Sequence, residues 1–383
     1  MLALILIGMI CGDFASAQVA STAVPFLLIS PNSRSSAMGE SGVALADDAS
    51  ATFWNPAGLG FLKGQEVSLT HSNWLPQFQQ ADLFYEYGNY RLHIPKIAGT
   101  VAASLTYLNL GKFERRSSNN DYLGEFSSYE FAIAASYGSA LTKDLAVGIG
   151  LRYIHSALSP TGTEQEVGSG KASTVAGDLG VLYRPTRFLI PFTRVDLGNR
   201  IGFGANLSNV GPSISYIDEA QADPIPTNLR VGAAFDLVRS EFNRFTWTLD
   251  FNKLLISRTG PKADPFYKAL LKTWTTKTTG EPKNIGDVIR EFNMGTGIEY
   301  WYSNLIALRA GYFYEDPSMG NRQMLTFGAG IRYDIYGFDF SYISTYGPET
   351  SPLNETLRFT LLINWDKGIP DDGQKNPADD SSN

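Results

Sequence analysis

The residues of this 383-residue chain that could do chemistry are three histidines, one cysteine and a set of carboxylates and guanidiniums. His71, His93 and His155 are scattered and lack the short ligand spacing that marks a metal site. A Ser-His-Asp triad assembles in space rather than along the chain, so spacing alone does not exclude a hydrolase. No nucleophile motif accompanies the histidines, however. Cys11 lies in an N-terminal apolar run expected to be removed, which would leave no thiol for a disulfide, a zinc site or a nucleophile. Gly148-x-Gly150 and Gly328-x-Gly330 lack the strand–turn–helix setting of a phosphate loop. No catalytic residue, metal or cofactor is expected.

The charged residues are more informative. Glu86, Glu130, Asp178, Asp236, Asp250, Glu299 and Asp339 share one beat of a two-residue rhythm with Arg152, Arg230, Arg309, Arg332 and Arg358. From Leu325 the apolar beat reads Leu325, Phe327, Ala329, Ile331, Tyr333, against Thr326, Gly328, Gly330, Arg332. A period of two means strands with one apolar and one polar face. The pattern recurs about fourteen times, near 65–73, 82–92, 97–111, 124–140, 144–156, 172–184, 197–209, 227–238, 243–253, 292–302, 304–314, 322–333, 336–345 and 355–365. From the fourth strand onward, tight turns (142–143, near 240, 303, 334–335) alternate with long links, the exception being a long link at 185–196.

Short turns on one rim and long loops on the other mark a transmembrane β-barrel. Tyr137, Tyr183, Tyr300, Tyr333 and Trp365 fall on the apolar beat at one end, and Tyr107, Tyr153, Tyr312 and Tyr342 at the other. Two aromatic belts suit a bilayer with two interfaces. The expected fold is therefore all-β: a 14-stranded antiparallel transmembrane β-barrel with its apolar beat towards lipid. The charged beat would face the lumen, its opposite signs paired across strands, because charge on the lipid face is costly. Inward glycines (Gly148, Gly150, Gly202, Gly204, Gly328, Gly330) would leave room for something inside.

The domain organisation follows. Residues 1–17 read as a signal peptide, with an apolar run too short to span and Ala15-Ser16-Ala17 before the cleavage point. Residues 18–64 are too long and too apolar for a floppy leader and are expected to fold as a plug in the lumen. Residues 65–365 form the barrel, and 366–383 an acidic tail expected to be disordered. The net charge of −7, of which the tail carries −3, argues against nucleic acid. The longest link, 254–291, contains Phe266, Leu270, Leu271 and Trp274 at helical spacing, a stripe that would cover the barrel mouth or contact a partner. The link Arg187–Phe192 raises the same question on the other rim.

Within the plug segment, Trp54-Asn55-Pro56-Ala57 contains an Asn-Pro-Ala triplet that resembles the hatch motif of FadL-type channels, whose fold is a fourteen-stranded barrel with an N-terminal plug. Pro25-Phe26-Leu27, Ser33-Arg34-x-x-Ala37-Met38-Gly39, Asp250-Phe251-Asn252-Lys253, Gly297-x-Glu299-Tyr300-Trp301-Tyr302, Leu308-Arg309-Ala310-Gly311-Tyr312 and Leu357-Arg358-Phe359 together resemble the PorV family. That family belongs to the type IX secretion system of Bacteroidetes-type outer membranes. The resemblance implies a non-enzymatic protein, while the loop parity puts the long loops outside and, with an even strand number and a periplasmic N-terminus, both termini in the periplasm. The resemblance also implies partners: a SprA/Sov-like translocon barrel, the C-terminal signal domains of secreted cargo, and a PorU-like surface attachment complex. The alternative, from the FadL side, is a channel for hydrophobic small molecules, which the charged inward beat fits poorly.

Overall fold

The computed structural model describes residues 22–78, 82–117, 119–159, 170–193, 195–216, 222–259, 263–346 and 351–365. The expected signal peptide, Cys11 and the tail lie outside the described residues. The strands are β1 (Gln65–Asn73), β2 (Phe84–Ile94), β3 (Gly99–Arg116), β4 (Tyr122–Ala140), β5 (Leu145–Ala157), β6 (Lys171–Tyr183) and β7 (Ile201–Val210). They continue as β8 (Asn228–Arg239), β9 (Asn243–Leu254), β10 (Phe292–Tyr302), β11 (Ile306–Tyr314), β12 (Gln323–Tyr333), β13 (Tyr336–Thr345) and β14 (Leu357–Trp365). Each pairs antiparallel with its sequence neighbours, and β1 closes on β14 to give a fourteen-stranded barrel.

The turn chemistry sorts the rims. Ser303, Asn304 and Asp334 adopt positive φ in the tight turns, two of the three being residue types that tolerate left-handed backbone. Long links leave the opposite rim, the longest containing α3 (Phe266–Lys272) and α4 (Ile285–Arg290). On the short-turn rim the segment between β6 and β7 is long, held by a bridge between Leu189 and Asp196.

Burial alternates along the strands. Exposed outward residues are apolar, among them Leu69, Leu105, Ile133, Leu151, Val175, Leu361 and Phe327. Such a continuous apolar belt is stable against lipid, and a closed ring leaves no strand edge unpaired there. Tyr153, Tyr183, Tyr333 and Trp365 stand on this same outward face. No helix among the described residues is long and apolar enough to cross a membrane.

The inward face packs on residues 22–64. This segment carries the short helices α1 (Ser33–Ser36) and α2 (Ala51–Trp54) and is buried almost throughout. Its Val24, Phe26, Leu27, Phe53 and Trp54 form an apolar core with inward residues Tyr85, Tyr87, Leu108, Ala132 and Ile154. A second core joins Ala57 and Leu59 to Ala102, Ala146 and Leu182. Residues 56–61 pack on β4, β5 and β6 and α1 on β12, β13 and β14, so the segment contacts opposite sides of the ring.

Two expectations are corrected. Glu86 faces outward, not into the lumen: it is half exposed and pairs with His71 at 2.7 Å on the outer surface. On β2 the inward beat is Tyr85, Tyr87, Asn89 and Arg91, because the lumen there is filled by an apolar core that takes tyrosines. The link expected at 112–123 is a hairpin extension instead. Past a bulge between Asn109 and Lys112, where Gly111 has φ +85°, the ladder continues through Phe113 stacked on Phe126.

Candidate functional site

The polar centre of the molecule begins at α1. Asn32 caps it, accepting from the Ser35 amide, as short polar residues do at helix starts. This places Arg34 against the wall. Its Nε and Nη2 donate to the two oxygens of Glu299 at 2.8 and 2.7 Å, while Nη1 meets Asp47 at 2.5 Å and Asp48 at 3.2 Å. Glu299 also accepts from Arg309 at 2.7 Å, its cross-strand partner on β11. Arg309 continues to Asp339 at 2.8 Å, and Asp339 to Arg332 at 2.6 Å. The result is a chain of alternating charge from the N-terminal segment across β10, β11, β13 and β12. Such pairs are tolerable when buried only because every member has partners. Burial alone would lower the Arg34 pKa, but Asp47 and Glu299 outweigh it and hold the guanidinium firmly charged. Burial likewise acts to raise Asp47, and the Arg34 charge more than reverses this, holding it below the usual aspartate range.

Other inward charges are used differently. Arg152 binds Asp178 at 3.0 Å and Asn209 Oδ1 at 2.5 Å. Asp178 in turn accepts from the Asn209 amide, where the β6–β7 register shifts. Asp236 pairs with Arg244 at 3.2 Å. Asp250 accepts the Gly42 and Val43 amides at 2.6 and 2.8 Å. Arg230 lies over the rings of Phe53 and Trp54, 4.7 and 5.1 Å from their centroids, a cation–π contact. Arg358 donates to Ser36 Oγ, and Glu130 accepts from Ser156. Asp250, Arg230 and Arg358 therefore serve the N-terminal segment rather than other inward charges.

The Trp54-Asn55-Pro56-Ala57 stretch is a connector. Asn206 donates to the Trp54 carbonyl at 3.0 Å. Asn55 Nδ2 donates to Val43 O within the segment and to Val181 O on β6, both at 3.0 Å, and its Oδ1 accepts from the Ala57 amide. Pro56 and Ala57 lie so close to Gly148 that a Cβ there would strike their backbone. On the far wall, a Cβ on Gly311 would strike the backbone of Met38 and Gly39. Glycine is what permits backbone to approach backbone this closely.

On the long-loop rim, α3 packs through Ala269, with Leu270 and Trp274 partly buried, and exposes Phe266, Tyr267 and Leu271. The expected stripe is therefore divided, two residues inward and two outward, and Trp274 lies beyond the helix end. Lys253 sits 5.1 Å from the Trp274 ring and pairs with Glu291. Lys283 binds the same carboxylate at 2.5 Å and the Thr273 carbonyl at 2.7 Å. These contacts clamp the helical link onto the rim. His71 and His155 stand on the outer face, and His93 contacts Thr100 at 3.0 Å.

Sequence reasoning overlooked the partners Arg34, Asp47 and Asp48, and the inward pair Glu66–Arg91 at 3.0 Å. The parity of β1 signals Glu66, but nothing along the chain signals that Arg34 meets a residue 265 positions away.

A closed fourteen-stranded antiparallel ring, apolar outside and packed inside against its own N-terminal segment, defines the class of β-barrels with an outward apolar belt. The Pseudomonas putida toluene transporter TodX superposes with a TM-score of 0.50 at 13% identity, covering 87% of this chain and 98% of that one. The TodX deltaS2S3 mutant monoaromatic hydrocarbon channel gives 0.52 at 14% identity, covering 87% and 99%. A Pseudomonas aeruginosa FadL homologue gives 0.48 at 12% identity, covering 88% and 98%. At these identities the first two likenesses speak for the fold alone. The family model described as type IX secretion system protein PorV matches residues 13–262, and the chain belongs to that family. It is thus an outer-membrane component of the type IX secretion machinery. No curated protein sequence matches the chain.

Proposed function

We propose that this barrel is a docking subunit rather than a conduit. It receives the C-terminal signal domain of exported cargo, associates with a SprA/Sov-like translocon, and passes cargo to a PorU-like attachment complex. The observation that carries this reading is the lumen: residues 22–64 fill it and are tied to the wall by the bidentate Arg34–Glu299 pair and the Asn55 amide. In this reading residues 18–64 are a permanent plug, so recognition falls to surfaces and loops. The long loops then face outside and both termini face the periplasm, with residues 1–17 as the export signal. The clamped 255–291 link, with Phe266, Tyr267 and Leu271 exposed, is the contact element best placed for a protein partner. The FadL-like channel for hydrophobic molecules is less favoured, since a conduit through this lumen would have to displace the whole charged chain.

The test is affinity purification of the tagged protein from solubilised outer membrane, in native form and with 262–280 deleted. Co-purification of a very large barrel and of proteins sharing a C-terminal domain, lost or weakened on deletion, supports the reading. Recovery of neither from the native form would overturn it. Unchanged capture after the deletion would move the contact away from this link.

A further inference from the structure

The link between β6 and β7 stands on the short-turn rim as a small two-stranded ribbon. The Leu197 amide donates to the Phe188 carbonyl at 2.8 Å, and the Ile190 amide to the Val195 carbonyl at 3.1 Å. At its base the Arg184 and Thr186 amides donate to the carbonyl and the carboxylate of Asp144, in the β4–β5 turn. The ribbon presents apolar side chains where water favours polar ones. Leu189 and Val195 are half exposed, and the Phe192 ring at the tip is fully so. Phe192 also has φ +64°, a left-handed backbone that bulky residues rarely adopt. An aromatic ring held out in this way needs apolar surroundings to cover it.

Three observations identify those surroundings as lipid. First, the ribbon leans towards the outer face. Phe203 lies opposite Tyr183 in the β6–β7 ladder, and both are exposed on the outward beat. Five further residues of straight strand would carry Phe188 about 16 Å past that pair. Its ring is instead 6.1 Å from the Phe203 ring, so the link bends back onto the aromatic belt. Second, the ribbon's backbone donors are used internally. Besides the two ladder bonds, the Thr193 amide donates to Ile190 O, the Val195 amide to Thr193 Oγ1, and the Phe188 amide to Asp196 Oδ1. Pro191 has no amide to satisfy. Lipid demands such internal pairing, whereas a strand offered to a protein partner keeps free edge donors. Third, Arg187 is exposed near the base of the ribbon. From there a guanidinium can reach headgroup phosphates while the apolar tip lies deeper.

We propose that the 186–198 link is a membrane anchor. Leu189, Phe192 and Val195 insert among the phospholipid acyl chains of the leaflet on the short-turn side. This anchor requires the outward belt to face lipid and does not require the barrel to dock cargo.

The test places one nitroxide at a time on the full chain in phosphatidylethanolamine/phosphatidylglycerol vesicles, with Cys11→Ser as background. Labels go on Phe192→Cys and Val195→Cys in the link, on Leu151→Cys in the belt, and on Lys143→Cys in the neighbouring tight turn. All four side chains are exposed, so each variant should keep heat-modifiable gel mobility. Power-saturation electron paramagnetic resonance compares accessibility to oxygen, which partitions into lipid, with accessibility to a water-soluble nickel chelate. The oxygen-to-nickel ratio at 192 and 195 should exceed that at 143 by at least about threefold, as for side chains seated roughly 5–10 Å into the headgroup boundary. Ratios at 192 and 195 equal to that at 143, with 151 in lipid, would overturn the anchor alone and leave the tip free for a protein partner. Nickel access at 151 as well would overturn the anchor together with the belt.

Discussion

Arg34 and Glu299 face each other as a two-bond pair, 2.8 and 2.7 Å, although 265 residues separate them. One belongs to the N-terminal segment and the other to β10, so barrel closure and seating of the segment are joined at one carboxylate. Glu299 is fully buried and also serves Arg309. On the other side, Asp47 and Asp48 keep about a fifth of their side chains exposed.

That asymmetry orders two substitutions. Glu299→Gln leaves Arg34 and Arg309 each short of a charge partner deep in the protein, and should cost about 3–5 kcal/mol. Arg34→Met leaves Glu299 with Arg309, and its two aspartates can still reach water, so it should cost less. Urea unfolding in lipid vesicles, read by heat-modifiable mobility, measures both. The reverse order would place the anchor elsewhere.

The Arg34–Asp47 contact also sets a pH window. Burial acts to raise the Asp47 pKa and Arg34 overrides this, so the folded value lies below the unfolded one. A depressed carboxyl gives stability that is complete above its unfolded pKa, about 3.9, and is lost as pH falls through the folded value. Hydrogen-exchange protection of residues 46–48, clear of the Gly42, Val43 and Ala49 amides that Asp250 and Glu66 hold, should therefore be flat from about pH 5 to 8 and fall only below about 4. Loss beginning near neutrality would point to a different titrating group.

Gly311 tests whether the segment and the wall fit as rigid bodies. A Cβ there would meet the backbone of Met38 and Gly39, which cannot swing aside as a side chain can. Gly311→Val should leave the barrel closed but unseat the segment, so that protease cuts within residues 22–64 at rates the native form does not show. Gly177→Ala, whose Cβ would lie 3.8 Å from its nearest neighbour, should be indistinguishable from native. Equal protection in both variants would mean that the segment has slack.

Much of this architecture is legible along the chain because lipid forces a strict alternation on the strands. The alternation fails as a guide where the opposite face is also apolar. On β2, Tyr85 and Tyr87 face the core around Phe26 and Trp54, so two-sided hydrophobicity hides which beat points inward, and Glu86 is misread. It fails again above the bilayer. The sequence from Lys112 to Asp121 looks like a loop because it is polar, yet outside lipid a hairpin needs no apolar face and closes where the Ser117 amide donates to the Asp121 carbonyl at 2.9 Å. The ion pairs of the N-terminal segment were invisible for another reason: they join residues whose proximity exists only once the barrel has closed.

The misread residue provides the sharpest check on facing. His71 and Glu86 are cross-strand neighbours on the outer surface, 54% and 45% exposed. An exposed pair contributes about 0–1 kcal/mol, and here it is flanked by exposed Leu69. His71→Leu/Glu86→Leu should therefore leave stability within about 1 kcal/mol of native in vesicles. Glu66, inward on the adjoining β1, is the contrast: it holds Arg91 at 3.0 Å and the Ala49 amide at 3.0 Å. Glu66→Leu strands a buried guanidinium and an amide, and should cost about 3–5 kcal/mol. If Glu86→Leu proved as damaging as Glu66→Leu, Glu86 would have to face the lumen after all, and the parity of β2 would need to be reversed.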